Sequence, residues 1–328
     1  MPLPTAKEQV LAMTTPAATQ ASTPAISGVV PPVLTPLTAD RELDLPSLER
    51  LLGRMLEGGV DGIFALGSTG EVAFFNDAMR DRTLEAITGI VAGQVPVLAG
   101  VIEMQTERVR DRIHAAARFG VDGFVVTAPF YAITGPQEID RHFRVLAADA
   151  PAPIWAYDIP PCVHSKLAPE LLMALGADGV LAGVKDSSGD DVSFRRLSLM
   201  NRAAGSPLSL LTGHEVVVDG AYLSGADGVV PGLGNVDPAG YVRLHRAATS
   251  GDIEAMRAEQ DRLTALFEIV RCPVGLVGPA AGVGSFKTAL RELGVISTNT
   301  MSEPLASVEG EAVEAIRSLL EAAGLEPR

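Results

Sequence analysis

Lys185 closes the run Val180-Leu-Ala-Gly-Val184 and precedes Asp186-Ser-Ser-Gly189, so one amine stands at the end of an apolar, β-branched segment that reads as a buried strand. Gly176-Ala-Asp-Gly179 feeds that segment and an amphipathic stretch follows it, which puts the lysine where a strand turns toward a helix. An ammonium on a strand covered on both faces is desolvated; this favours the neutral amine, which attacks ketones. The same position suits an ion-paired lysine, or one whose charged head reaches water past its stem. The segment alone leaves both readings open.

Other polar or glycine-rich junctions follow apolar runs in the same way. Gly67-Ser-Thr-Gly-Glu71 is either a tight turn or a nest of N–H groups and hydroxyls able to hold a carboxylate. Tyr131, in Pro129-Phe-Tyr131, and Tyr157, in Tyr157-Asp158, are two of only four tyrosines, and each is either a loop anchor or a phenol available for chemistry. Gly213-His-Glu215 and Pro231-Gly-Leu-Gly-Asn235 complete the set. His214-Glu215 resembles the start of a zinc-protease signature, but no second histidine follows at the required spacing, so no metal is expected. Gly282-Val-Gly284 does not lie between a strand and a helix of a βαβ unit, as dinucleotide binding requires.

Such scattered positions need a frame that brings them together, and an internal echo supplies it. Gly59-Val-Asp-Gly62, Gly120-Val-Asp-Gly123, Gly176-Ala-Asp-Gly179 and Gly225-Ala-Asp-Gly228 recur at intervals of 61, 56 and 49 residues, each ending an amphipathic segment and starting an apolar run. Glycine accepts the left-handed backbone at a helix end, after which the chain re-enters as a strand. Strands are expected near 28–36, 62–67, 95–102, 123–128, 153–158, 180–185, 208–212 and 228–231. Leu48, Leu51, Leu52 and Met55 mark one helix face between them, and Val109, Ile113 and Ala117 another. This α/β alternation fits a (β/α)8 TIM barrel over 26–250 better than an open sheet. Helical stretches at 252–270, 284–293 and 307–323 make 251–328 a C-terminal helical extension packed on the barrel in the same domain. In such a barrel, residues just beyond the strand C-termini hold the chemistry.

The totals restrict partners. With 328 residues, 47% hydrophobic content and a net charge of −14, the chain can bury a large core and repels phosphate backbones and anionic membranes. Neither a nucleic acid nor a membrane is an expected partner, and no apolar run approaches the roughly 20 residues of a membrane-spanning helix. Cys162 and Cys272 are too few and too far apart for a disulfide framework, which points to a reducing, cytoplasmic setting. Residues 1–25, rich in Pro, Ala and Thr with Lys7 their only basic residue, read as a flexible arm rather than a secretory signal.

Taken together, Gly67-Ser-Thr-Gly-Glu71, Ala128-Pro-Phe-Tyr131, Tyr157-Asp-Ile-Pro160 and Gly183-Val-Lys-Asp186, in this order and at these separations, resemble the dihydrodipicolinate synthase and N-acetylneuraminate lyase family of pyruvate-handling class I aldolases. The resemblance runs from about Gly28 to the last helices. It implies a homotetramer or homodimer without cofactor, in which Lys185 forms an imine with a small 2-oxo acid and Tyr157 relays protons at the imine carbon. Ser68 and Thr69 match the pair that, with backbone N–H groups such as that of Gly70, hold the substrate carboxylate, Ser68 also linking toward the tyrosines. Tyr131 matches a tyrosine passed across a dimer interface into the neighbouring site.

Departures narrow the substrate. Cys162 stands where dihydrodipicolinate synthases carry an arginine for the second substrate's carboxylate, and a thiol makes no bidentate contact of that kind. Glu215 matches an acidic hydroxyl-binding position of the neuraminate lyases, yet Val216 replaces the next acid and Gly232 a serine. Ser187 matches a hydroxyl-binding position of sugar-acid members, while Gly213 and Pro231 are expected to line the same substrate. Cys162 and His164 serve either loop packing or the specificity pocket. The expectation is a lyase that cleaves, or forms, a 2-keto-3-deoxy sugar acid or 4-hydroxy-2-oxo acid with pyruvate as common product. Its rivals are a synthase condensing pyruvate with aspartate semialdehyde, a dehydratase using the same imine, and an inactive barrel that senses a 2-oxo acid.

Overall fold

A computed structural model describes residues 26–328, and the arm expected over 1–25 lies outside the described residues. Eight parallel strands form one sheet in the order β1-β8-β7-β6-β5-β4-β3-β2, comprising β1 (Gly28–Val29), β2 (Ile63–Ala65), β3 (Val97–Gly100), β4 (Gly123–Thr127), β5 (Ile154–Asp158), β6 (Gly183–Asp186), β7 (Ser209–Thr212) and β8 (Gly228–Val229). The two end strands meet as well. Phe64 N–H donates to the Pro31 carbonyl at 3.0 Å, Val33 N–H to Phe64 at 2.9 Å and Asp61 N–H to Val29 at 2.8 Å, so the sheet closes into a TIM-type barrel.

Each strand leads to a helix on the outside: α1 (Leu45–Gly58), α2 (Asp77–Val91), α3 (Thr106–Ala117), α4 (Pro136–Ala147), the single turn α5 (Pro160–Val163) with α6 (Pro169–Ala177), α7 (Asp191–Ala203), α8 (Val218–Ser224) and α9 (Pro238–Ser250). Three more follow, α10 (Ile253–Phe267), α11 (Gly278–Glu292) and α12 (Glu311–Ala322), where the sequence places its last helical stretches. In α1, Leu48, Leu51, Leu52 and Met55 are wholly buried against the sheet. Asp44 caps the α1 N-terminus by accepting from Ser47 N–H, and Gly59 ends the helix at φ +82°. Gly120 and Gly225 take the same left-handed turn, but in the third unit Gly176 remains helical and Gly179 takes it instead.

All eight strands are shorter than the expected ranges, and for two of them hydrogen bonding gives the reason. The expected 28–36 strand ends at Val29 because Pro31 and Pro32 have no N–H to give the ladder. Val180 and Leu181 do not begin β6; their N–H groups both reach back to the Leu175 carbonyl and close the end of α6. The core forms two layers. Residues facing the helices build the larger one, while Val30, Phe64, Leu98, Val125, Trp155, Tyr157, Leu211 and Val230 fill the barrel interior. Trp155 sets the floor of the mouth: a side chain at Gly183, two residues before Lys185 on the same face of β6, would run into its ring.

Candidate active site

Lys185 and Tyr157 are register partners on β6 and β5, and both point into the barrel near its C-terminal end, 5% and 3% exposed. The Lys185 Nζ lies 4.1 Å from the Tyr157 ring centroid and 4.8 Å from that of Phe64, the two rings standing edge to face at 6.3 Å. A cation over ring faces is held by the quadrupole without being neutralised. The chain has four lysines, of which residues 26–328 contain Lys166, Lys185 and Lys287. Lys166 pairs with Asp158 and Lys287 with Glu71; among the described residues no carboxylate oxygen lies within 4.0 Å of the Lys185 Nζ. Of the alternatives the sequence leaves open, ion pairing is absent among the described residues and exposure is excluded by burial.

Phe64 connects this amine to the Gly67-Ser-Thr-Gly70 turn, because a Cβ on Gly67 would come within 2.7 Å of the Phe64 ring. Gly70, whose N–H is expected at the carboxylate, instead spends it on the Gly67 carbonyl at 3.0 Å to close the turn, Glu71 N–H reaches the Ser68 carbonyl at 3.1 Å, and Thr35 Oγ1 donates to the Gly70 carbonyl at 2.9 Å. Among the described residues no protein acceptor takes the N–H of Ser68 or Thr69, and Ser68 is exposed to the mouth. Two unspent N–H groups beside two hydroxyls form a donor set suited to an anion. Leu66 at φ +54° and Glu71 at φ +60° bracket the turn, and Tyr131 (φ +71°) and His164 (φ +57°) add two more left-handed residues on mouth loops. Backbone held in such sparsely populated regions concentrates where geometry serves a site.

The remaining candidates sit around this centre in different ways. Ser187 Oγ presses so closely on Gly213 that a side chain there would overlap it, and both follow strand ends tied by Ser187 N–H to Asp158 and Gly213 N–H to Asp186. Glu215 Oε2 accepts from Leu233 N–H at 2.7 Å and from the Tyr241 hydroxyl at 3.3 Å, fastening the loop that Pro231 begins. Burial pushes the Glu215 carboxyl up to about 7, opposed by the N–H groups of Leu233 and Gly232, the Tyr241 hydroxyl and the Lys185 charge. Partial desolvation raises the Cys162 thiol, with Lys185 the opposing charge, although the residue as a whole is exposed. Tyr131 is not brought to the other groups within this chain. It is 88% exposed on the loop after β4, with Ile133 77% exposed beside it.

Several supporting residues carry no signal in the sequence. Behind β5 and β6, Asp158 and Asp186 are register partners on the outer face, and Lys166 reaches both. Burial raises Asp158 to about 6 against the pull of Lys166. Its other oxygen accepts Leu167 N–H at 3.1 Å, which ties down the base of the loop that carries Cys162 and His164. Thr127, in register with Tyr157, keeps a buried Oγ1 without a partner among the described residues. The Thr127 carbonyl accepts from His142 Nε2 at 3.2 Å, so Nδ1 is the unprotonated nitrogen and accepts from Thr106 Oγ1 at 2.9 Å.

Burial holds His142 down at about 4, below the usual 6.5. A base whose pKa falls on folding contributes stability that is complete above the ordinary value and is lost as pH drops from 6.5 toward 4. Thermal melts across that window are expected to show a smaller loss on acidification in His142→Asn than in the wild type. Equal slopes would contradict the assignment of a neutral ring.

The model of the dihydrodipicolinate synthetase family matches residues 25–323. The chain belongs to that family. It is accordingly an enzyme, a lyase of the class I aldolase type. It is 33% identical over 261 residues to an uncharacterized DapA-like lyase of Halobacterium salinarum, covering 79% of this chain and 84% of the relative. It is 30% identical over 299 residues to a 4-hydroxy-tetrahydrodipicolinate synthase of Kineococcus radiotolerans, covering 91% and 94%. The crystal structure of YagE, a prophage protein of E. coli K12 in the dihydrodipicolinic acid synthase family solved with pyruvate, superposes at a TM-score of 0.86 with 26% identity over 92% of this chain and 99% of that one. The family match spans barrel and C-terminal helices together, and among the described residues no helix is long and apolar enough to cross a membrane.

Proposed function

We propose that this family member is a Schiff-base lyase that cleaves a 2-keto-3-deoxy sugar acid or a 4-hydroxy-2-oxo acid to pyruvate and an aldehyde, or runs the reverse condensation. One observation carries the reading: Lys185 is the only lysine among the described residues without a carboxylate partner, and it is enclosed by Tyr157 and Phe64 at the barrel mouth. In this reading neutral Lys185 Nζ adds to the ketone carbon, a proton passed through Tyr157 goes to the departing hydroxyl, and water leaves to give an iminium. The iminium draws the electron pair of the breaking C3–C4 bond, the 4-hydroxyl proton departs and the aldehyde is released. The enamine takes a proton at C3, and water hydrolyses the resulting imine to pyruvate and free lysine. Tyr157 moves the protons, and Ser68 and Thr69, with their hydroxyls and their own N–H groups, hold the carboxylate.

The aldehyde end then meets Ser187, Gly213, Glu215 and Pro231. Glu215 Oε2 is spent on Leu233 and Tyr241, so a substrate hydroxyl would meet Oε1, the oxygen that lies beside Gly232. The exposed Tyr131 and Ile133 fit a face shared with a second copy, in a homodimer or homotetramer, that would bring Tyr131 to a neighbouring site. Cys162 disfavours the synthase reading, since Lys166, the cation on the same loop, is already held by Asp158 and Asp186.

Supplying both classes of oxo acid and following pyruvate release tests the substrate. Release is expected from them, with little pyruvate consumed alongside aspartate semialdehyde. Rapid consumption with the semialdehyde and none of the release would assign the synthase reaction instead.

A further inference from the structure

Glu71 ends the Gly67-Ser-Thr-Gly-Glu71 turn, and its partner Lys287 comes from α11, outside the barrel. Both side chains are fully shielded from solvent. The Lys287 Nζ also donates to the Thr300 carbonyl at 2.9 Å, and Glu71 Oε2 accepts Ser302 N–H at 2.9 Å. The segment between α11 and α12 is in turn fixed to the barrel, Thr298 Oγ1 donating to the Leu37 carbonyl at 2.8 Å and Ser297 N–H to Ser47 Oγ at 3.0 Å. A buried ion pair is poorly explained by stability, because well-packed apolar residues of similar volume often serve as well or better. What charged, hydrogen-bonded groups add is direction. Here they hold Glu71 in its left-handed conformation, with its N–H closing the turn on the Ser68 carbonyl.

We propose that Lys287 is a positioning residue for the carboxylate-binding turn, acting through its buried pair with Glu71 to fix the backbone that presents the Ser68 and Thr69 N–H groups to the substrate. The helices after the barrel thereby become part of the substrate-recognition machinery. Thr35 also grips the turn, through the Gly70 carbonyl. The proposal rests on the reading in which this turn holds the carboxylate of a 2-oxo acid, and it assigns the ability to tell a 2-oxo acid from a plain ketone to a residue that touches neither.

The test is borohydride trapping with pyruvate and with acetone, which lacks the carboxylate, on the wild type, Glu71→Gln/Lys287→Met and Thr35→Val. The double variant keeps the volume and removes both charges. Its half-saturating pyruvate is expected to rise about tenfold or more, with half-saturating acetone and the final amount of adduct nearly unchanged. Equal shifts for both ketones, or none in a folded double variant, would overturn the proposal and leave the pair a structural one. Should the double variant fail to fold, Thr35→Val reads the same ratio, and an unchanged pyruvate preference there overturns it equally. A wild type that traps neither ketone fails at an earlier step and removes the reading beneath the proposal.

Discussion

Lys185→Met is expected to abolish pyruvate release from the oxo-acid substrate, by about 10⁴-fold or more, while the protein stays folded. Methionine matches the lysine stem, and its thioether can rest against the Tyr157 and Phe64 rings where Nζ now lies 4.1 and 4.8 Å from their centroids. No carboxylate among the described residues loses a partner, so no buried charge is stranded. Lys166 and Lys287 offer no rescue, since each is held by a buried carboxylate. Pyruvate release followed alongside a thermal melt checks both halves. A variant that melts like the wild type and retains measurable turnover would mean that another group carries the reaction.

Tyr157→Phe should lower turnover by roughly 10² to 10⁴-fold, the range of a lost general acid–base group, yet leave the imine able to form. The ring supplies the cation contact and the packing against Phe64, and phenylalanine keeps both. Only the hydroxyl is removed. Rapid-quench trapping should therefore show slower imine formation reaching the same final amount of adduct, with kcat falling more than the half-saturating concentration rises. An unchanged kcat would assign the proton relay elsewhere, and Thr127, with its unpartnered buried hydroxyl in register with Tyr157, would become the candidate to vary.

The barrel was legible because its signals are local and repeated. Gly-x-Asp-Gly units, apolar runs of strand length and helix faces such as Leu48-Leu51-Leu52-Met55 each report on their own segment, and the structure places every expected strand and all three late helices. Strand ends were less legible where local chemistry competes. Prolines end β1 early, and an apolar pair that looks like strand, Val180-Leu181, instead caps α6. The residues at the mouth could be picked out by type and position. Their supports could not, because those are long-range pairings between unremarkable residues. Lys287 lies more than 200 positions from Glu71, and Phe64, which faces the amine, looks like any strand hydrophobe. Lys166 shows the same limit: it ends no apolar run, and the two carboxylates that hold it, Asp158 and Asp186, come together around it only in space.

The central claim is that one amine forms the covalent bond, and borohydride reduction in the presence of pyruvate followed by peptide mass mapping tests it most directly. A single stable adduct is expected, on the peptide containing Lys185. An adduct on Lys166, on Lys287 or on no lysine at all would contradict it.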